Sequence, residues 1–348
     1  MIDTSLTPTR LPIAWLVVAG AVLVVAATIS LSVGAAGLSV RGISMELINR
    51  LPGVSVDSGL SATDTSILWQ VRMPRIVLGM LVGGMLALAG TSYQGIFRNP
   101  LADPYLLGVA AGAGLGATLA IVYGPAIGTT SIAVVGPAAF AGALVAAFGA
   151  YMLGTVGKAT TTSLILAGVA VAAFLTSIQT YVQLRNTDSL RSVVSWLLGR
   201  LSTAGWHEVT VILPLVFISS VVLILHRKLL DVLALGDEEA TTLGVRVTSV
   251  RLVVLIAASL GTAAVVAVSG LIGFVGIIVP HALRLVIGTS YTRLIPLSLF
   301  AGATFLVLAD LLARTLIAPA ELPIGVVTAF FGAPFFLFIL HRYDRTST

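Results

Sequence analysis

The chain has 348 residues, of which 57% are hydrophobic and only 9% charged, and it contains no cysteine. A soluble fold of this size cannot bury that much apolar surface, so the composition places the chain in lipid. The formal net charge of +5 is small and spread over many loops, which argues against a nucleic-acid partner, and the lack of cysteine excludes disulfides and thiolate metal sites.

The apolar runs of the chain are long and do not alternate with polar residues. Because lipid offers no partners for backbone hydrogen bonds, runs of roughly 20 apolar residues predict membrane-spanning helices rather than barrel strands. We predict about ten spans, which form one all-α membrane domain over residues 1–348. The spans cover residues 13–33, 76–97, 106–123, 132–153, 163–184, 209–225, 250–268, 276–287, 294–316 and 326–340.

A short polar leader, residues 1–12, precedes the first apolar run. A cleaved signal peptide is the alternative interpretation of that run. The run is longer than a usual signal core, so we predict an uncleaved span with the N-terminus in the cytoplasm. An even number of spans then places the C-terminus in the cytoplasm as well. The positive-inside signal is weak, because arginines are frequent on the predicted outer loops too, and an acidic extracytoplasmic partner would account for them.

The segment from Arg72 to Gly116 is the most strongly specified part of the sequence. It contains two apolar helical segments joined by a polar hairpin, Arg98–Pro104, in which an Asn, an Asp and two prolines follow a set order. An ordinary membrane hairpin needs only polar residues and a turn. We therefore interpret this hairpin as part of the gate of a transport channel.

Two glycine-rich segments resemble nucleotide-binding motifs only superficially. No strand precedes Gly112–Ala117, and Gly154–Ala159 lacks the first glycine and the final Ser or Thr of a phosphate loop. We therefore predict that this chain does not bind ATP. The glycines that recur every four residues in the spans instead predict close packing of helices.

The acidic residues lie in loops or near helix ends, with Asp310 as the exception. Arg314 follows it by four residues, so the two side chains share one helix face and can neutralise each other. A structural pair and a docking role for Arg314 both remain open. The four histidines have no metal-ligand spacing, so a metal site within the chain is not expected.

The longest predicted cytoplasmic loop covers residues 227–251. After Gly236, Asp237 can cap a helix that carries two glutamates in its first turn, and Gly244 can end it. We predict two short helices here, at residues 229–235 and 238–243. Nothing else in the chain obviously covers their apolar faces, which indicates a partner surface, and a loop resting on lipid headgroups is an equal alternative.

Six blocks of the sequence, in order, resemble the FecCD permease family. They are Arg72–Arg75, Gln94–Gly108, Leu233–Val245, Ser269–Arg284, Ala309–Arg314 and Glu321–Phe336. Members of that family are the membrane subunits of binding-protein-dependent ABC importers for ferric siderophores, haem and cobalamin. The resemblance implies the ten-helix permease fold of these type II importers, with a ferric siderophore as the commonest cargo and haem or cobalamin next.

The resemblance also implies partners, and no cofactor in this chain. A second permease subunit, most simply another copy of this chain, would complete the transport path. Two cytoplasmic ATPase subunits would bind ATP and magnesium, and an extracytoplasmic binding protein would deliver the cargo. The chain itself would not be an enzyme, and it would lie in the bacterial inner membrane.

Individual residues receive roles from the same resemblance. The arginines that dock the binding protein would be Arg72, Arg75 and Arg314. The residues that couple to the ATPase would be Gly236, Asp237, Glu238, Glu239, Ala240, Leu243 and Gly244. The residues of the cytoplasmic gate would be Asn99, Leu101, Thr161, Thr162 and Ser163.

A secondary transporter of a small solute, driven by an ion gradient, is the alternative function. Such transporters usually carry carboxylates or histidines inside their spans, and this chain is poor in both there. That alternative also gives no role to the acidic cytoplasmic loop. An exporter is disfavoured by the arginines on the predicted outer face.

Overall fold

The computed structural model describes residues 11–34, 37–127, 131–156, 160–202 and 205–346. The predicted leader lies outside the described residues except for its last two positions. The described part of the chain contains fourteen α-helices and no strand. They are α1 (Ile13–Ser32), α2 (Val40–Ile48), α3 (Ala62–Ser66), α4 (Met73–Phe97), α5 (Val109–Tyr123), α6 (Ser131–Gly154), α7 (Thr161–Arg185), α8 (Leu190–Leu197), α9 (Trp206–Leu233), α10 (Asp237–Thr242), α11 (Val247–Ser269), α12 (Val275–Ile287), α13 (Tyr291–Thr315) and α14 (Ile324–Thr346).

The helices confirm the predicted all-α membrane fold. By length and composition, seven helices of the described residues can cross a membrane: α1, α4, α6, α7, α9, α11 and α13. Helix α3 continues through a π-helical turn, Ile67–Arg72, into α4, so the three form one helical segment, Ala62–Phe97. Three shorter apolar helices, α5, α12 and α14, complete the set. These ten helices match the ten predicted spans in order.

Helix α4 lies at the centre of the bundle. Its residues from Val82 to Phe97 are all buried, and it packs against α9, α11, α12 and α13. Helices α1 and α7 bury only a few residues each and expose long apolar faces. Since apolar faces are stable in lipid, exposure on the outer helices agrees with the membrane location that composition predicts.

Glycines allow the central helices to approach closely, as their spacing predicts. A Cβ added to Gly83 of α4 would lie 2.3 Å from the carbonyl oxygen of Gly302 in α13. A Cβ added to Gly90 would lie 2.1 Å from the carbonyl oxygen of Gly276 in α12. Backbones at these crossings are in direct contact, and van der Waals packing of this kind drives helix association in lipid.

The bundle has two ends that matter for function. The arginine end is the one where the start of α4 meets the end of α13, through Arg75 and Asp310. The hairpin end is the opposite one, where α4 ends and the Arg98–Pro104 hairpin lies near α10. Helix α13 begins at this second end, where Tyr291 contacts Asp231 of α9. The sequence predicts that the arginine end faces outward and the hairpin end inward, and this orientation stays a prediction.

The predicted short helix at residues 229–235 is wrong. Helix α9 runs without a break to Leu233, and only the second short helix, α10, is separate. The predicted exposure of both apolar faces is wrong in part, because Leu230, Leu233 and Ala240 are buried in the main core. Tertiary packing extends α9 beyond the membrane-length apolar run, and the large apolar residues of the two predicted helices that remain exposed are Leu235 and Leu243.

The glycine contacts lead to a prediction for stability. We expect Gly90→Ala to destabilise the fold by about 1–3 kcal/mol, because the added methyl group would clash with the backbone of α12. Gly149→Ala is the matched control, since no atom lies within 4 Å of the position of its Cβ. It should leave stability unchanged or raise it, because alanine is the better helix former. Thermal unfolding of both variants in detergent measures the difference, and equal melting temperatures would contradict the packing argument.

Candidate functional site

Arg75 is the centre of the arginine end. Its Nε lies 2.9 Å from Oδ2 of Asp310 and its Nη2 lies 2.8 Å from Oδ1, so the two side chains form a bidentate salt bridge. The other edge of the guanidinium contacts both oxygens of Glu321, at 2.9 and 3.0 Å. The side chain of Asp310 is 4% exposed and that of Glu321 is 39% exposed. Arg75 is therefore neutralised by one deeply buried carboxylate and one at the surface.

Arg72 and Arg314 attach α1 to the rest of this end. Arg72 donates from Nη1 to the carbonyl oxygen of Leu31. Arg314 donates from Nη2 to the carbonyl oxygen of Ser30 and, at 2.8 Å, to its hydroxyl. Carbonyl groups near the end of a helix have no partner within the helix, so a guanidinium satisfies them well.

The predicted pair of Asp310 and Arg314 exists, but it is the weaker contact of Asp310. Arg314 Nε lies 3.8 Å from Asp310 Oδ2, whereas Arg75 contacts both oxygens of that carboxylate. The four-residue spacing on α13 predicted the pair of Asp310 and Arg314. The pair of Asp310 and Arg75 forms only because α4 packs against α13. All three predicted docking arginines have partners within the chain, and their docking role stays a prediction.

The hairpin Arg98–Pro104 is built from two side-chain turns. Arg98 ends α4 in the left-handed region, with φ of 50°. Asn99 Oδ1 accepts a hydrogen bond from the N–H of Leu101 at 2.9 Å, and Asp103 Oδ1 accepts one from the N–H of Tyr105 at 2.7 Å. These turns are the physical reason for an Asn and an Asp at these positions. Leu101, at the tip, is 42% exposed.

Two side chains that sequence reasoning missed fasten the hairpin to the bundle. Gln94, fully buried in α4, donates from Nε2 to the carbonyl oxygens of Ala102 at 3.2 Å and Gly276 at 3.1 Å. The hydroxyl of Tyr105 donates to the carbonyl oxygen of Ile272 at 3.0 Å. The sequence signal for this contact was an amide side chain within an apolar span. Burying an amide without hydrogen-bond partners costs free energy, so such a side chain indicates a polar contact.

The pKa of the Asp103 carboxyl group is raised above its ordinary value. Burial raises the pKa of Asp103 to about 6, and the hydrogen bond from the Tyr105 N–H opposes this shift. The carboxyl group lies in the connection between α4 and α5, and its charge is disfavoured there.

The other predicted gate residues lie at the start of α7. Thr160 caps this helix, and Thr160 and Ser163 form a capping box in which the Ser163 N–H donates to Thr160 Oγ1 at 3.1 Å. Ser163 also donates from Oγ to the carbonyl oxygen of Gly154 at 2.8 Å. Ser163 thus has a structural role, while Thr161 is half-buried and Thr162 is exposed. The gate role of all three stays a prediction.

Helix α7 meets the segment after the hairpin and exposes a partly polar face. A Cβ added to Gly168 would lie 2.0 Å from the carbonyl oxygen of Leu106, so α7 crosses the chain between hairpin and α5 in direct contact. Hydroxyl groups interrupt its exposed apolar face. The exposed residues that carry them are Thr162, Thr176, Ser177, Thr180 and Tyr181.

Helix α10 lies at the hairpin end. It covers Asp237–Thr242, one position earlier than the predicted range of 238–243. Gly236 rather than Asp237 is the capping residue, and a Cβ on Gly236 would lie 1.9 Å from Oε2 of Glu239. Gly244 follows the helix with φ of 82°, which suits glycine. Ala240 fixes the inner face of α10 in the core. The outer surface includes Glu238, Glu239, Leu243 and, just before the helix, Leu235.

Two aspartates connect elements at this end that are far apart in sequence. Asp237 Oδ1 lies 3.0 Å from Nη2 of Arg98 and 3.1 Å from Nη2 of Arg251 in α11. Asp231, near the end of α9, accepts hydrogen bonds from the backbone N–H groups of Tyr291 and Thr292. It thereby caps the start of α13 from outside that helix, which no sequence pattern indicated.

Comparison with known proteins identifies the family. The profile of the FecCD transport family matches residues 22–342. The chain belongs to the FecCD transport family. The chain is 39% identical to the cobalamin import system permease protein BtuC of Halobacterium salinarum, over 94% of this chain and 96% of that protein. It is 40% identical to the hemin transport system permease protein HmuU of Yersinia pestis, over 78% of this chain and 82% of that protein.

A solved structure shares the fold of this FecCD chain. It is described as an inward-facing conformation of an ABC transporter assigned to the metal-chelate type, with a TM-score of 0.83 at 30% identity. The match covers 95% of this chain and all of the other. The family and the fold together establish a multi-pass membrane transport component rather than an enzyme.

The ion pairs of the arginine end lead to a stability prediction. We expect Asp310→Asn to destabilise the FecCD chain by about 3 kcal/mol, because Arg75 and Arg314 lose a buried counter-charge. Glu321→Gln is the control, since its carboxylate is partly exposed and an exposed pair contributes about 1 kcal/mol or less. Chemical unfolding in detergent compares the two, and a larger loss for Glu321→Gln would refute this ranking.

The raised pKa of Asp103 leads to a pH prediction. A carboxyl group whose pKa is higher in the folded state stabilises the fold at low pH, and this contribution is lost as pH rises through about 6. Asn cannot ionise and can still accept the hydrogen bond from Tyr105. We therefore expect the stability of Asp103→Asn, relative to the unmodified chain, to rise between pH 5 and 7. Melting temperatures measured across that range test this, and a constant difference would show that Asp103 is ionised throughout.

Proposed function

We propose that this chain is the permease subunit of an ABC importer that moves a bulky metal chelate into the cytoplasm. The observation that carries the proposal is the match over 95% of the chain to a transporter described as metal-chelate type, at 30% identity. Relatives that are matched over most of their length and named as permeases support it. The exposed α10 gives the chain a surface on which an ATPase can act.

For the cargo we propose a metal chelate of the cobalamin, haem or ferric siderophore class. The sequence resemblance alone put a ferric siderophore first. The relative matched over 94% of this chain and 96% of its own length is named a cobalamin permease, which favours cobalamin. The haem permease of Yersinia pestis is equally identical over a shorter part of the chain, so haem follows.

The ATPase contact would lie on α10. Its outer surface combines two glutamates with the side chains of Leu235 and Leu243, which are 64% and 63% exposed. Apolar side chains rimmed by charge are typical of a protein contact. Ala240, on the inner face, is fully buried in the core. A displacement of α10 would therefore also displace the helices of the bundle that it contacts. ATP and magnesium would bind in the two ATPase subunits.

The transport path would lie between this chain and a second copy of it. The exposed face of α7, with its hydroxyl groups, suits the wall of such a path, because it offers no strong ligand that would trap the cargo. Rigid-body tilting of the helices, driven by the ATPase subunits, would open one mouth of the path and close the other. Asn99 and Leu101 would stand at the inner mouth.

The arginine end would receive the binding protein. Arg72, Arg75 and Arg314 carry three positive charges there. Asp310 and Glu321 contact Arg75, Asp310 also contacts Arg314, and the negative charge of Asp64 acts on Arg72. The partly exposed Glu321 is the carboxylate that an acidic group of a partner could replace. This end would face outward in a bacterial inner membrane, with both termini in the cytoplasm.

Purification and uptake together test the proposed function. The tagged chain, expressed with its neighbouring genes, should retain an ATPase subunit through purification. Proteoliposomes of that complex should take up one of cyanocobalamin, haemin or a ferric siderophore only when the binding protein and ATP are both supplied. Uptake by the chain alone under a proton or sodium gradient would instead establish a secondary transporter.

The surface of α10 leads to a prediction for assembly. We expect the double variant Leu235→Ser and Leu243→Ser to lower ATPase retention at least tenfold, because both apolar side chains leave the proposed contact. The fold should stay intact, since both are exposed. Leu51→Ser is the matched control, as this leucine is 57% exposed in the connection that follows α2. Equal retention by all three proteins would remove α10 from the contact.

A further inference from the structure

Helix α10 and the hairpin Arg98–Pro104 are joined by a single carboxylate. Asp237 Oδ1 lies 3.0 Å from Nη2 of Arg98 and 3.1 Å from Nη2 of Arg251. Asp237 is the first residue of α10, and Arg98 is the residue that ends α4 and begins the hairpin. The carboxylate therefore lies at the point where the proposed ATPase contact meets the proposed gate.

The two arginines bond Asp237 in different surroundings. The side chain of Arg251 is 13% exposed, and it contacts both oxygens of Asp237 from α11. The side chain of Arg98 is 41% exposed, and its backbone has the left-handed conformation next to Asn99. Arg251 thus connects α10 to α11 in the bundle, whereas Arg98 connects α10 to the junction between α4 and the hairpin.

We propose that Asp237 is a positioning residue that transmits the displacement of α10 to the hairpin, with Arg98 as the receiving side chain. The inference rests on the proposed function, in which an ATPase moves α10. An ion pair as exposed as this one adds little to stability, so its removal leaves a folded protein. Movement of Arg98 would shift Asn99, because the two are adjacent in the chain and the backbone N–H groups of both bond to the carbonyl of Gln94.

Distance measurements test the linkage in the chain itself. The chain has no cysteine, so spin labels can be attached at Leu101→Cys and Thr241→Cys without further changes. Both positions are exposed. In lipid nanodiscs, we expect Arg98→Gln and Asp237→Asn each to broaden the distribution of label distances at least twofold, since α10 is released from the hairpin.

Arg251→Gln is the matched control for this measurement. It removes an ion pair from the same carboxylate but leaves the pair with Arg98, so the distance between hairpin and α10 should keep its width. An unchanged width in Arg98→Gln, or equal broadening in Arg251→Gln, would overturn the inference. Neither result depends on the identity of the cargo or on a bound ATPase.

The transport complex gives the functional readout. In unlabelled complexes with the ATPase subunits, we expect Arg98→Gln and the double variant Arg98→Gln/Asp237→Asn to raise the ATP hydrolysed per cargo molecule to the same extent, at least threefold. Equal effects of single and double variants show that both residues act through one contact. ATPase retention should not change in Arg98→Gln, and an unaltered ratio would overturn the linkage. If no ATPase is retained by the unmodified chain, the proposed function fails, and the transmission fails with it.

Discussion

A guanidinium group held between two carboxylates fixes the central pair of helices. Arg75 of α4 contacts Asp310 of α13, and both side chains are removed from water. Neither charge is stable alone in an apolar bundle, so the position of each determines that of the other. The glycine contact between the same two helices, at Gly83 and Gly302, then sets how closely they approach. Helices α9, α11 and α12 pack against this pair, and Arg72 and Arg314 attach α1 to it.

The opposite end of the bundle has a different chemistry. Polar side chains there bond to backbone groups and to each other across elements: Gln94 to the hairpin and α12, Asp231 to the start of α13, and Asp237 to two arginines. The ion pairs of Asp237 are partly exposed, so they can rearrange at less cost than the pair of Arg75 and Asp310. The arginine end and the hairpin end therefore differ in how readily their ion pairs can rearrange.

The local features of the hairpin and of α10 follow from residue type. Asn99 and Asp103 make their turns through bonds to residues two positions ahead, and Gly236 and Gly244 have the backbone angles that other residues rarely adopt. Their places in the bundle do not follow in the same way. The length of α9 was mispredicted because Leu230 and Leu233 are buried by packing, which a hydropathy boundary does not include.

The sequence by itself determined the membrane location, the ten apolar helices, their order and the positions of the main turns. These depend on apolar runs and turn residues, whose effects extend over a few positions, and six blocks were sufficient to indicate the family. Tertiary structure alone decided that Asp310 bonds Arg75, 235 positions away, and that Asp237 bonds Arg98 rather than solvent. Such pairs depend on which helices are neighbours, and because apolar helices in lipid can pack on many faces, their hydropathy does not specify those neighbours.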